Sequence, residues 1–368
     1  MAEIRRLGVL TSGGDCAGLN AVIRAVTYHA IQGYGWQVLG ILDGTAGLID
    51  DPPRYRELSI EMFDGRLLRE GGTFLGTTNK GDPLAFKMPD GSVRDLSPDF
   101  ARGVRALGLD ALIVIGGDGS MRIASKLCER AKVGMVGVPK TIDNDVHGTQ
   151  WAVGFATAVA VATEALDRLQ PTAASHHRVM ILEVMGRDAG HIALNSGVAG
   201  GADIILVPEL PYTIAGVARR IKELLALGRT HALVVVAEGV KTEDGRKISI
   251  QDATGTRHGG IGHYLLEELV RATGAEIRVT ILGHVQRGGT PSARDRLLAS
   301  TFGVHAVELV AQRRFHRMVA WQNDVIDVPL SEVTIGARAV DANDPLIRTA
   351  RGLGIHLGEQ RAAPRPRT

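Results

Sequence analysis

Aromatic side chains make up only 4% of this 368-residue chain, so its cores must be built mainly from aliphatic groups. Two cysteines, Cys16 and Cys128, are too few for a disulfide framework, and they lack the paired spacing of a thiolate metal site. Charge of either sign is not in excess: 42 basic against 40 acidic residues leave +2, which excludes a global field that recruits nucleic acid or a membrane surface. Anion binding must therefore come from local cations and backbone. No apolar run approaches the ~18 residues of a membrane span, and the N-terminal residues form no signal-peptide apolar core. The expectation is a cytoplasmic protein. With 45% hydrophobic and 22% charged residues, the chain is long enough for two domains with real cores.

What the chain does have is a series of apolar runs that end in glycine, acid and hydroxyl. The run Ala-Leu-Ile-Val-Ile at 111–115 ends in Gly-Gly-Asp-Gly-Ser at 116–120, before a helical pattern at 121–131. Glycines between a strand and a helix start let backbone N–H groups approach a phosphate, so Gly117, Gly119 and Ser120 are candidates for a phosphate cradle. Asp118 suits Mg²⁺, which usually takes one or two carboxylates and shares phosphate oxygens. Leu-Gly-Val-Leu at 7–10 followed by Thr-Ser-Gly-Gly-Asp at 11–15 repeats the pattern with Gly13 and Gly14, although a bare tight turn also needs glycine. The run at 133–138 opens into Pro-Lys-Thr-Ile-Asp-Asn-Asp at 139–145. Lys140, Thr141, Asp143 and Asp145 then stand at the carboxyl end of a strand, where open α/β sheets bind ligands. A general base next to a cation is the chemical reading; Asx residues in a turn are the structural one.

Strands and helices alternate strictly over helix 98–107, strand 111–115, helix 121–131 and strand 133–138, and the alternation resumes with helix 155–169, strands 178–184 and 203–207, helix 215–227, strand 231–237, helix 261–273, strand 277–282 and helix 293–311. The alternation predicts an α/β fold of mostly parallel sheets with helices on both faces, and too many strands for one sheet. The boundaries expected are 1–154 plus about 286–336 for a domain holding donor phosphate and metal, and 155–285 plus about 337–368 for a second domain. Arg178, Arg187, Arg278 and Arg287 recur at strand starts and ends, and a guanidinium fork matches phosphate oxygens. Glu238 closes a strand as a hydroxyl acceptor or as a rim carboxylate. His284 reads as a ligand contact or as a structural histidine.

In this order the motifs at 11–15, 71–76 (Gly-Gly-Thr-Phe-Leu-Gly), 116–120, 139–145, 183–187 (Glu-Val-Met-Gly-Arg) and 282–289 (Leu-Gly-His-Val-Gln-Arg-Gly-Gly) resemble the bacterial-type 6-phosphofructokinase family through Asn323. The resemblance implies two Rossmann-like domains with the active site in the interdomain cleft, and phosphoryl transfer to the 1-hydroxyl of fructose 6-phosphate in glycolysis. It implies Asp143 as the base, Thr141 and Asp145 as its partners, Asp118 as the Mg²⁺ ligand, and Gly14, Gly119 and Ser120 as the donor cradle. Met185, Gly186, Arg187, Glu238, His284 and Arg287 resemble the sugar-phosphate site. Arg178 and Arg278 match arginines that reach the 6-phosphate from a neighbouring subunit, which implies a homo-oligomer, dimer or tetramer.

Departures from the pattern bear on donor and regulation. Lys140 is typical of pyrophosphate users, whereas Gly119 stands where those usually carry aspartate. Asn79, with Lys80 beside it, replaces a donor-contacting arginine, and Ile123 replaces a glycine near the nucleoside. ATP is the expected donor, with pyrophosphate as the alternative; an NAD or lipid kinase and a non-catalytic sugar-phosphate-binding subunit are the remote ones. Arg24 is kept from the effector site, but Tyr28 and Thr230 stand in for cations, so classical effectors are expected to act weakly.

Overall fold

The computed structural model of the chain describes residues 4–79, 81–252 and 255–358. Its contacts divide it into two units, Met1–Thr157 with Arg287–Ala337, and Ala158–Gln286 with Arg338–Thr368.

In the first unit an eight-stranded sheet runs from edge to edge through Val325–Pro329, Arg317–Trp321, Gly134–Thr141, Ala111–Gly116, Arg6–Thr11, Gln37–Ile41 and Tyr55–Leu58, with Val153–Gly154 pairing off that path. The interior neighbours are parallel and the two edge strands antiparallel. From Arg6–Thr11 the chain crosses first to Gln37–Ile41 on one side and later to Ala111–Gly116 on the other. The strand order thus reverses at Arg6–Thr11, and such switch points are where open α/β sheets open a crevice at their carboxyl ends. Ala111–Gly116 is buried along its whole length, as a parallel strand covered on both faces must be. The core is aliphatic around Phe100, with Leu10, Ile41, Leu112 and Leu127 among its members. Each such side chain contributes roughly 1.5–3 kcal/mol by leaving water.

In the second unit four parallel strands follow the order Ile204–Leu206, Ala232–Ala237, Val179–Val184, Ile277–Ile281. Helix Ile261–Thr273 is fastened to this sheet by Glu183, whose buried carboxylate accepts hydrogen bonds from the N–H groups of Gly260 (3.0 Å) and Gly262 (2.8 Å). An anion at a helix start offsets the positive end of the dipole. Among the described residues no helix is long and apolar enough to cross a membrane.

Several elements differ from the pattern read in the sequence: the helix expected over 155–169 runs on through Pro171 to His176, and the helix His191–Ala199 and the strands Arg317–Trp321 and Val325–Pro329 are not part of that pattern. The strand expected over 133–138 continues through Lys140 and Thr141, because Lys140 pairs with Val153 and Thr141 with Gly154. The helix expected from 121 starts at Asp118, so Asp118, Gly119 and Ser120 form its first turn.

Candidate active site

Strand register assembles the first group of residues. Thr11 lies beside Ile115 and Gly116 beside Pro139, so the loop at 12–15, the helix start at 117–120 and the turn at 142–145 emerge side by side at the carboxyl ends of their strands. Gly13 has φ +86, a conformation that favours glycine, and its ends are tied down: its N–H donates to the Thr78 carbonyl (2.9 Å) and its carbonyl accepts from the Thr77 hydroxyl (2.7 Å). A side-chain carbon at Gly13 would come within 2.9 Å of the Ser120 hydroxyl, so the two glycine loops touch. Asn79 is exposed just beyond Thr78. Lys80 lies outside the described residues.

Asp118 is half-exposed at the helix start and, among the described residues, carries neither hydrogen bond nor ion pair. No group of three or more His, Cys, Asp or Glu that could hold a metal occurs among the described residues. One accessible carboxylate beside two glycine-rich turns is a donor set that fits Mg²⁺ where phosphate and water supply its remaining ligands.

Lys140, Asp143, Asn144 and Asp145 are buried. The Thr141 hydroxyl accepts from the Asp143 N–H at 3.1 Å, closing a tight turn at the strand end. Asn144, at φ +52, uses both ends of its carboxamide: Nδ2 donates to the Gln150 carbonyl and Oδ1 accepts from the Ala152 N–H, each at 2.9 Å. That clamp holds the acids on either side of it in place, a role that the pattern of alternating carboxylates does not reveal. The Lys140 ammonium donates to the Gly14 carbonyl, and Arg287 Nη1 donates to the Asp15 carbonyl at 3.0 Å. Burial pushes the Lys140 pKa below its ordinary value, and Arg287 acts in the same direction. Ile123 packs half-buried against the aliphatic core.

The second unit gathers Met185, Gly186, Arg187, Glu238 and the 282–286 turn at the carboxyl edge of its own sheet, since Ala237 pairs with Val184 and Ile281 with Glu183. Glu238 accepts from the N–H groups of Gly186 (3.3 Å) and Arg187 (3.0 Å). Gly186 has φ +150, and a carbon added there would meet the Ala189 carbonyl at 2.4 Å. His284 is exposed. Gln286, which sequence reasoning passed over because it is neutral, is buried and accepts from the Met185 N–H at 2.7 Å. The donor identity of that N–H fixes the amide orientation, and Gln286 Nε2 has no hydrogen-bond partner among the described residues.

Arg178 and Arg278 stand apart. They lie at the amino ends of the strands, one strand length, roughly 20 Å, from Met185 and Glu238. Both donate to the same Glu276 oxygen, each at 2.7 Å, and Arg178 above all holds that carboxyl below its usual range. Of the effector positions, Arg24 lies over the Tyr28 ring (4.5 Å) and Tyr28 packs edge-on against Phe63, while Thr230 Oγ1 faces His231.

Glycine loops and a buried carboxylate turn aligned at the carboxyl edge of a parallel sheet are the layout of an α/β phosphotransferase. The family model described as phosphofructokinase matches residues 6–310. The chain is 56% identical over 360 residues to ATP-dependent 6-phosphofructokinase 1 of Synechocystis sp., covering 97% of this chain and 99% of that protein. It is 47% identical to the ATP-dependent 6-phosphofructokinase of Chloroflexus aggregans, covering 97% and 98%. Among solved structures, phosphofructokinase from Saccharomyces cerevisiae matches with TM-score 0.74 and 30% identity over 90% of this chain and 45% of the longer yeast chain. The pyrophosphate-dependent phosphofructokinase of Marinobacter aquaeolei shares the fold, with TM-score 0.78 at 23% identity over 99% and 95%. The chain belongs to the phosphofructokinase family.

Proposed function

We propose that this chain phosphorylates the 1-hydroxyl of fructose 6-phosphate with ATP, yielding fructose 1,6-bisphosphate and ADP in glycolysis. The observation that carries the reading is the alignment, by strand register, of two glycine loops with the buried Asp143 turn. Phosphoryl transfer needs positioning, charge neutralisation and an acceptor for the hydroxyl proton. Asp143 takes that proton as the bond from the sugar oxygen to the γ-phosphorus forms and the bond to the β-phosphate oxygen breaks. Thr141 and the Asn144 clamp hold its backbone, with Asp145 beyond. Gly13, Gly14, Gly117, Gly119, Ser120 and Asn79 line the donor, and Asp118 would hold Mg²⁺. When bound, that ion neutralises donor phosphate charge.

Met185, Gly186, Arg187, Glu238 and His284 form the sugar-phosphate set, with Arg187 also facing the transferred charge. Arg287, assigned to the same set by resemblance, commits one Nη to the donor loop. Arg178 and Arg278, at the far edge of their sheet, serve the 6-phosphate of a neighbouring subunit, so the working form is a homo-oligomer, placed in the cytoplasm. The open space at Gly119, where a carbon added to the backbone meets nothing within 4 Å, leaves room for the α-phosphate of a nucleotide and so supports ATP as donor over pyrophosphate.

The test is Asp143→Asn, assayed with ATP, Mg²⁺ and fructose 6-phosphate. The expected result is a fall in kcat of about 10²–10⁴-fold, the range for losing a general base, with the sugar-phosphate KM nearly unchanged. A variant with near-normal kcat would overturn the assignment.

A further inference from the structure

The Asp143 turn is backed by one segment of chain, residues 150–154. The Gln150 carbonyl and the Ala152 N–H hold the Asn144 carboxamide, while Val153 and Gly154 pair with Lys140 and Thr141 as a short strand. Thr141 in turn accepts from the Asp143 N–H. Asp143 is thus placed from both sides by this segment, and whatever fixes the segment fixes the acid. Its carboxyl end is fixed by Asp295, a fully buried carboxylate in the first turn of the helix Ala293–Ala311. Oδ1 accepts from the Gly154 N–H at 2.9 Å, and Oδ2 accepts from the Thr157 N–H at 2.7 Å and from the Thr157 hydroxyl. None of these donors carries a charge. A carboxylate buried among neutral donors costs more free energy than an apolar side chain would, and burial pushes the Asp295 pKa above its ordinary value despite the hydrogen bonds. The helix does not need it as a cap, because Ser292 already accepts from the Asp295 N–H at 3.2 Å. What the carboxylate adds is two acceptors at a fixed spacing, which tie the end of the short strand to the start of the helix Phe155–His176. Gly154 lies at φ +103, and a carbon added there would meet Cys16 Sγ at 2.5 Å, so the strand has no room to drift toward Cys16.

We infer that Asp295 is a positioning residue for Asp143, acting through the Gly154 N–H and the Val153–Gly154 strand to hold Thr141 and the turn that follows it. The inference deepens the phosphotransferase reading above and rests on its assignment of Asp143 as the proton acceptor. All the residues in this chain of contacts belong to the first unit. Asp295 lies far from Asp143 in sequence and makes no contact with the acid itself, so its effect is on where the acid points.

The experiment is steady-state kinetics of Asp295→Asn in the full chain, alone and combined with Asp143→Asn, with a thermal melt of each variant. Asparagine keeps the size of the side chain but turns one of its two acceptors into a donor, so Gly154 and Thr157 cannot both be held. The expected fall in kcat is roughly ten- to a hundredfold, the scale for misplacing a reacting group by about an ångström. The KM values for ATP and fructose 6-phosphate are expected to stay within about threefold, because the loss is in the transition state. Where Asp143→Asn has already removed the acid to be aimed, adding Asp295→Asn should change kcat by less than about threefold. Phe302→Leu, on the buried face of the same helix, controls for lost stability alone: Tm falls and kcat holds within about threefold. Should Asp295→Asn fail to fold, Gly154→Ala pushes the same strand from its Cys16 side and is expected to give the same kcat loss and the same lack of additivity. A kcat near that of wild type, a loss confined to KM, a loss that multiplies with that of Asp143→Asn, or an equal kcat loss in Phe302→Leu overturns the inference. A near-normal kcat in Asp143→Asn alone would instead overturn the reading on which it rests.

Discussion

Gly119 lies in the first turn of the helix Asp118–Ala131, with ordinary helical geometry and nothing within 4 Å of an added side-chain carbon. An aspartate there would cost the fold nothing, since acids are favoured in a helix's first turn. On the proposed reading its charge would face the donor phosphates. Gly119→Asp is therefore expected to lower kcat/KM for ATP by about a hundredfold or more through like-charge repulsion, with no fall in Tm. Retained ATP activity would remove residue 119 from the donor path. The same scale shows what residue patterns conceal. Asp143, Asn144 and Asp145 look equivalent in sequence, but Asn144 has positive φ and both carboxamide ends engaged in the backbone, so it is the clamp and its neighbours are the acids. Gln286 and Glu183 were hidden for a related reason: their partners, Met185 N–H and the start of the helix Ile261–Thr273, are remote in sequence.

At the scale of elements, strands that are unbroken apolar runs were legible, as at Ala111–Gly116 and Ala232–Ala237. Legibility failed where a distant partner decides the structure. Lys140 and Thr141 are polar, yet they are strand because Val153–Gly154 pairs with them. The edge pair Arg317–Trp321 and Val325–Pro329 carries little local signal and is defined by its antiparallel register. The helix His191–Ala199 illustrates how such contacts set pH dependence. His191 is buried and its Nε2 lies 3.1 Å from the Arg338 carbonyl, so the neutral ring donates from Nε2. Burial first, and the Arg338 guanidinium second, lower its pKa from 6.5 to about 4. Between those values the unfolded chain binds a proton that the folded chain refuses, so stability is full above pH 6.5 and falls as pH drops toward 4. The loss through this window is about 3 kcal/mol. His191→Gln, which can still donate but does not titrate, should flatten that limb of the denaturant midpoint measured from pH 7 to 4.5. An unaltered limb would show that other groups carry the acid response.

For the whole molecule, the informative fact is the distance within one sheet between two sets of residues proposed for the sugar-phosphate site. Arg178 and Arg278 share Glu276 at the amino edge, and Met185, Arg187 and Glu238 stand at the carboxyl edge, roughly 20 Å away along six-residue strands. Side chains of arginine length do not bridge that span, so if all of them bind one sugar phosphate, some must come from a second chain. Asp143→Asn and Arg178→Ala are each expected to be impaired alone. Unfolded and refolded together in equal amounts, they should regain about one quarter of wild-type activity, because a site that draws Asp143 from one random chain and Arg178 from another is intact one time in four. The fraction is the same for any closed oligomer in which every site has two contributors. Mixing without subunit exchange should give no gain, which separates assembly from bulk effects. If the co-refolded mixture is no more active than the average of its parents, or if wild-type protein is fully active as a monomer by sedimentation, Arg178 and Arg278 do not serve a neighbour's site.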